Sequence, residues 1–327
     1  MKSFTIRKYQ SSDYSLWNEF VANAKNATFL FHRDFMEYHQ DRFEDFSLLI
    51  FDEKNLLKAI FPANREGENL HSHQGLTYGG LVISASTMLF EVIQINQVIL
   101  NFLYEQQILK LYLKIIPTIY NNIPSDEMEY ISFLLHAKLY RRDAIAILDI
   151  TNQVEKSRVR KRGIEKGLKN NLVIKEVDDF EIFWNELLIP NLKERYNVSP
   201  VHTLEEIKYL KLKFPTKIRQ FNVYLDKKII GGVTIFETNN VIHPQYIAGN
   251  KDFNNLYGGL DFLYDYLINN VYRESKYFDF GISNKNNGLQ LNEKLHYWKE
   301  SFGARTLVQN FYEIETKNYS LLENVLL

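Results

Sequence analysis

The order of elements along this chain runs through once and then again, and that recurrence limits the fold more than any other feature of the sequence. In the first pass, Phe4–Tyr9 alternates like a half-buried strand, and Ser11, Ser12 or Asp13 can cap a helix carrying Leu16, Trp17, Phe20 and Val21. A second helix is predicted over His32–Phe43, then two strands, Phe46–Phe51 and Leu56–Phe61, joined by Asp52-Glu53-Lys54-Asn55. A strand pair around Gly67 reaches His73. A loop with Gly75, Gly79 and Gly80 follows, then a long helix (about Ser86–Gln106), a strand (Leu109–Ile116), a helix from about Ser125 and a strand, Ala144–Ile150.

The second pass repeats this order. Helices are predicted over Phe180–Tyr196 and after Thr203. A hairpin then joins Phe221–Leu225 to Ile229–Phe236. The strand Val241–Ala248 contains Pro244, which a strand tolerates at an edge or a bulge. Gly258-Gly259 opens a helix to about Tyr272. The strand Tyr277–Ile282, a helix from about Leu289 to Ser301 and a last strand, Thr306–Ile314, complete the pass. Tyr78-Gly79-Gly80-Leu81 and Tyr257-Gly258-Gly259-Leu260 are identical tetrads, each after a hairpin and before a helix and a strand. Tandem duplication is the expectation, with domains at residues 1–152 and 153–327. The length, 327 residues, suits two domains of ~100–200 residues each.

Composition narrows the chemistry. The formal net charge is -1, so no global field marks a nucleic-acid binder, and any anion site must be local. The absence of cysteine removes disulfides, thiolate metal sites and a cysteine nucleophile together. The first nine residues hold no apolar signal core, and no apolar run approaches the ~18 residues of a membrane helix. A cytoplasmic protein without an integral membrane segment is expected.

Four stretches resemble the Fem family of peptidoglycan aminoacyltransferases and its acetyltransferase-like (GNAT) relatives. They are Gly75-Leu76-Thr77-Tyr78-Gly79-Gly80, the basic run from Ser157 to Leu168, Tyr277-Phe278-Asp279-Phe280-Gly281-Ile282, and Tyr297-Trp298-Lys299-Glu300-Ser301-Phe302-Gly303. The last two are similar to the family's strand ending in Asp-x-x-Gly and its Lys-x-x-Phe-Gly signature. The resemblance implies an α/β (α+β) fold of two tandem GNAT-like domains, each a mixed, mainly antiparallel sheet flanked by helices. It also implies an acyltransferase, with acyl-CoA, acetyl-CoA or aminoacyl-tRNA as donor, no metal, and a small-molecule or envelope-precursor acceptor. Charged tRNA is a candidate partner; DNA is not. Fem enzymes that use aminoacyl-tRNA often carry a coiled-coil arm, and no long charged heptad insert interrupts residues 170–320, which leaves the acyl group open.

Gly258-Gly259 at a helix start is a natural seat for a pyrophosphate, because the first amides of a helix lack partners and its dipole favours negative charge. Asn255 and Tyr257 flank it, but Asp261 in the first turn opposes a second anion, and a tight packing turn is the alternative. Arg158, Lys161 and Arg162 form a basic helix face suited to phosphates, or a solvated face balanced by Glu155 and Glu165. Val159, Ile164 and Leu168 offer the apolar contacts of that helix. On the last helix, Asn292, His296 and Lys299 recur at i, i+4 and i+7 as a polar face, leaving Leu291, Leu295, Trp298 and Phe302 for the core. Lys299 can steady an oxyanion, bind an acceptor carboxylate, or lie along the surface. Asp279 is a candidate general base or a buried hydrogen-bond hub. Tyr246 is a candidate acid–base group, and Tyr78 and Tyr257 are candidate lining residues. His71 and His73 sit at strand spacing without a third metal ligand. The competing functions are a CoA-dependent N-acetyltransferase of a sugar or small metabolite, a non-catalytic binding module, and an RNA-binding protein.

Overall fold

The computed structural model describes residues 3–327, leaving aside the side chain of Tyr196; the opening Met1 and Lys2 lie outside it. It divides the chain into two compact units. Unit 1 holds residues 1–144, 284–290 and 308–327, and unit 2 holds 145–283 and 291–307. The division falls inside a strand at Ala144/Ile145, not at a linker near 152, and the end of the chain returns to unit 1. A cut at one position in the sequence could not describe such units.

Unit 1 begins with β1 (Phe4–Lys8), α1 (Tyr14–Asn23) and α2 (Arg33–Glu37). The predicted second helix stops at Glu37, because the chain turns through a 3₁₀ segment, Gln40–Arg42, into β2 (Glu44–Asp45). β3 (Leu48–Asp52) and β4 (Leu57–Phe61) form the expected hairpin, with Asn55 in the left-handed conformation at its turn. β5 (Asn64–Glu66) and β6 (Asn69–His71) form the pair around Gly67, and β7 (Val82–Ile83) joins β4. α3 (Leu89–Glu105), β8 (Lys110–Lys114), α4 (Glu127–Leu134) and β9 (Lys138–Asp149) follow. The strands fall into a sheet ordered β1-β3-β4-β7 and a ladder β2-β5-β6-β8. The core packs α3 residues such as Ile95, Ile99 and Leu103 with Leu48, Ile50 and Phe61.

Unit 2 opens with α5 (Arg158–Lys169) and β10 (Val173–Val177), a strand whose Val-Ile-Lys-Glu-Val run went unread in sequence. The predicted helix at 180–196 is broken into α6 (Glu181–Phe183), a π-helical turn (Trp184–Leu188) and α7 (Ile189–Tyr196). α8 (Leu204–Lys213) starts on a Thr203/Glu206 capping box. β11 (Ile218–Leu225), β12 (Lys228–Glu237) and β13 (Val241–Gly249) form an antiparallel meander. α9 (Lys251–Tyr257), capped by Asn250, precedes α10 (Gly259–Tyr266), which passes into a second π-helical turn, Leu267–Val271. β14 (Tyr277–Ile282), the short β15 (Asn284–Lys285) and β16 (Gln290–Leu291), α11 (Glu293–Glu300) and β17 (Arg305–Glu315) finish the chain, with Thr316–Leu322 as a 3₁₀ tail. The sheet of unit 2 runs β10-β11-β12-β13-β14-β9, antiparallel except between β13 and β14. Its core joins Leu263, Tyr264 and Leu267 to Val233, Ile235, Phe278 and Phe302.

Each unit is thus a mixed, mainly antiparallel sheet flanked by helices, as expected. The identical tetrads, however, do not occupy matching places. Gly258-Gly259 joins α9 directly to α10, whereas Gly79-Gly80 lies in a loop ahead of β7, well upstream of α3. Among the described residues, no helix is long and apolar enough to cross a membrane.

Candidate functional site

In unit 2, β13 and β14 are the one parallel pair, and they run together briefly. Val241 pairs with Tyr277 and Ile242 with Phe278, and no further registered pair follows. Each strand is then distorted by a bulge. In β13 the register slips where Thr234 faces Tyr246 and Ile235 faces Pro244, so the proline borders a bulge, where a strand tolerates it. In β14 it slips between Asp279 and Ile282, around Gly281, whose φ of 73° is left-handed. Beyond Ile242 and Phe278 the two strands therefore part, and β14 leaves its regular ladder at the Gly281 bulge.

Side chains fix this geometry. The Asp279 carboxylate accepts the Gly281 N–H at 2.6 Å, closing the bulge from one side. Lys299 donates to the carbonyls of Gly281 (2.9 Å) and Ile282 (2.6 Å), closing it from the other. Burial lowers the Lys299 ammonium to about 8, against the opposing pull of Asp279. Next to Asp279 on the same face stands His243, with Nδ1 3.3 Å from the Asp279 carboxylate. That face is polar where a sheet interior is ordinarily apolar. Thr234 donates to Gln220 at 2.6 Å, Gln220 to Asn222 at 2.7 Å, and Tyr246 meets His202 Nδ1 at 2.5 Å. Burial pushes the Tyr246 hydroxyl up to about 12, so it stays protonated near neutrality.

Acidic side chains stand in the first turn of two helices, α10 and α3. In α10, Asp261 is the third residue; it pairs with Arg160 of α5 and accepts from Trp298 Nε1 at 3.2 Å. Burial pushes the Asp261 carboxyl up, and Arg160 pulls it back. Asn254 Oδ1 takes the Leu260 N–H at 2.8 Å. Helix α5 lies directly on this turn: a Cβ at Gly258 would stand 2.1 Å from the Gly163 carbonyl, and one at Gly163 would stand 1.9 Å from Asp261 Oδ2. In α3 of unit 1 the third residue, Glu91, takes the Met88 N–H at 2.8 Å and lies 3.6 Å from Lys58 Nζ. Each of these helix starts thus already carries a carboxylate in its first turn.

No protein-family model matches the sequence, and no curated protein is significantly similar to it. Solved structures are. The crystal structure of FemX superposes with a TM-score of 0.66 at 9% identity, covering 98% of this chain and 99% of that one. The C-terminal domain of a putative lysylphosphatidylglycerol synthetase from Agrobacterium fabrum gives 0.58 at 12% identity, with 95% of each chain covered. A tandem GNAT protein from the clavulanic acid biosynthesis pathway gives 0.51 at 9%, covering 97% of this chain and 99% of that one. The fold is the Fem-like tandem GNAT fold.

On this Fem-like frame the sequence candidates separate. Asp279 and Lys299 meet at the β14 bulge, and Tyr246 lies on the same sheet face as Asp279. The expected polar face of α11 exists but points inward: His296 and Lys299 are buried, while Leu291 and Leu295 are exposed. The reason is the bulge, whose carbonyls need donors that leucine cannot supply. Asn292 caps α11, accepting the Leu295 N–H at 3.1 Å, and His296 lies 3.4 Å from the Thr306 hydroxyl. Asn255 is exposed and gives its carbonyl to Lys166, and Tyr257 packs on Phe253, so with Gly258 and Gly259 they build a helix junction in place of the expected pyrophosphate seat.

Tyr78 is in the core of unit 1, its hydroxyl 2.9 Å from Thr28 Oγ1, and lines no surface. On α5, Gly163 and Gly167 make the packing face and Val159 and Leu168 are exposed, the reverse of the expected apolar contacts. Lys161 pairs with Glu155. Arg158 and Arg162 are exposed without an ion pair among the described residues. His73 turns into the left-handed region and is buried, while the His71 ring stacks on Tyr112 at 5.0 Å, so the two do not share a strand face. Asp261 was legible in the sequence as a residue opposing an anion, whereas His243 and Glu91 were not singled out. The His243-Pro244 pair on a strand was the available signal for the first, and a carboxylate three residues into a helix for the second.

Proposed function

We propose that the chain is an acyltransferase that moves an acyl group from an activated ester to an amine, with the reaction at the parted end of β13 and β14 in unit 2. The carrying observation is the pair of bulges that frees extended backbone beside a buried carboxylate. Strands that part inside a sheet offer N–H and C=O groups to an extended ligand, as an exposed sheet edge does. A backbone N–H presented where the strands part would hold the oxygen of a tetrahedral intermediate, so direct attack by an amine requires no protein nucleophile. The Fem-like fold supports the same class of reaction.

The closed helix starts bear on the donor. A coenzyme A pyrophosphate at α3 or α10 would meet the carboxylate of Glu91 or Asp261, a like charge at close range. An aminoacyl ester such as aminoacyl-tRNA needs no such seat, and Arg158 and Arg162 on α5 supply a surface for its phosphates. The acceptor is an amine of an envelope precursor or a related small molecule. Lys299 is a positioning residue in this scheme, because two of its donors are committed to the β14 bulge.

The test is a transfer assay. Aminoacyl-tRNA and acetyl-CoA are each supplied with amine acceptors, among them lysine- and alanine-ended peptides, and amide product is read by mass spectrometry. Amide from the ester is the expected result. Amide from acetyl-CoA alone would overturn the donor assignment, and none from either would overturn acyl transfer.

A further inference from the structure

Resting on the acyl-transfer reading, we propose that His243 is the general base of the reaction and that Asp279 holds its ring in the tautomer that leaves Nε2 free. His243 is on β13, directly beyond the last registered pair with β14, where the two strands part. Its Nδ1 is enclosed and faces the Asp279 carboxylate at 3.3 Å. The side chain keeps 18% of its surface open, and with Nδ1 enclosed that opening lies on the rest of the ring. At 3.3 Å the pair is not an aligned hydrogen bond, and catalytic hydrogen bonds often tighten only when substrate binds.

The surroundings serve one arrangement. Asp279 is nearly enclosed, and its other oxygen is fixed by the Gly281 N–H, so the carboxylate cannot turn away. Gly281 is left-handed, and Lys299 anchors the carbonyls on either side of the turn's exit. Among the described residues, the charged group in contact with the ring is the Asp279 carboxylate, and the Lys299 ammonium acts in turn on Asp279. A carboxylate against Nδ1 favours the proton there and leaves a lone pair on Nε2.

The step balances without a further reactant. The acceptor amine forms a C–N bond to the donor carbonyl carbon, and the carbonyl π pair moves onto its oxygen. The ammonium proton passes to His243 Nε2. The intermediate then collapses, the C–O bond to the leaving group breaks, and the imidazolium returns the proton to that oxygen.

Two readouts on the full-length protein test the assignment. Long-range ¹H–¹⁵N spectra of ¹⁵N-histidine protein, assigned against His243→Gln, report the tautomer without substrate. The neutral ring is expected to carry its proton on Nδ1, and Asp279→Asn is expected to shift the balance to Nε2. A wild-type ring protonated on Nε2 overturns the assignment whatever the activity. In the transfer assay, His243→Gln should lower kcat by about 100-fold or more with little change in KM and lose the acidic limb of the pH–rate profile. Added imidazole should partly rescue His243→Ala, which a purely structural role would not allow. An active wild type with His243→Gln at equal rate overturns the base and leaves acyl transfer standing. A wild type that transfers nothing, whatever its tautomer, removes both.

Discussion

Replacing Gly163 with alanine puts a methyl group where Asp261 already stands. The new Cβ would lie 1.9 Å from Asp261 Oδ2 and 2.8 Å from its Cγ. The carboxylate cannot swing aside cheaply, because Arg160 and Trp298 Nε1 both hold it. Overpacking of this kind costs ~1–3 kcal/mol. Loosening a hydrogen bond to a charged group adds ~1.5–3 kcal/mol if it is lost outright. Alanine's preference for a helix interior offsets ~1 kcal/mol. The net expectation is a loss of about 2 kcal/mol, confined to unit 2. Urea unfolding followed by tryptophan fluorescence reads it, since Trp298 reports on the contact itself. Glu165→Ala, on the exposed side of α5, is the control and should stay within ~0.5 kcal/mol of wild type. A Gly163→Ala protein as stable as wild type, or more so, would mean that α5 does not pack on the α10 turn, and the argument against a pyrophosphate there would fall.

Three further outcomes follow from the same contacts. Arg160→Glu should cost about 3 kcal/mol by leaving Asp261 buried beside a like charge, whereas Arg158→Glu with Arg162→Glu should leave the urea midpoint unchanged and weaken tRNA binding in a filter assay. Lys299 and Lys114 are both lowered to about 8 by burial, so above that pH the unfolded chain binds more protons and stability should rise from pH 8 toward 10; Lys299→Met should flatten that rise in denaturant midpoints. Isothermal calorimetry should detect no binding of coenzyme A, and Asp261→Ser should not create a site while α5 covers the turn.

Much of the fold was legible because it rests on local patterns. The hairpin of unit 2 was legible as two apolar runs, Phe221–Leu225 and Ile229–Phe236, separated by a short polar turn, and α8 was placed after Thr203. Units that share strands were not legible, since no local signal says that β17 carries the chain back to the first unit. The α11 face was inverted for a similar reason. Periodicity assigns polar groups to water, and only the bulge at Gly281, a long-range feature, makes a buried lysine the better choice there. Asp279 was legible by its strand motif, but its partner His243 was not, because their contact depends on a two-residue parallel register between distant segments. The Gly-Gly tetrads misled, since a short match carries no information about what packs over it.

On the proposed reading, this Fem-like chain transfers an acyl group from an ester donor and not from a coenzyme A thioester. The decisive measurement sets the two donors against each other in one reaction: aminoacyl-tRNA and acetyl-CoA carrying different isotopes, with an amine acceptor in excess, and the amide product read by mass. Amide carrying the aminoacyl label alone is expected. Amide carrying the acetyl label would overturn the donor assignment.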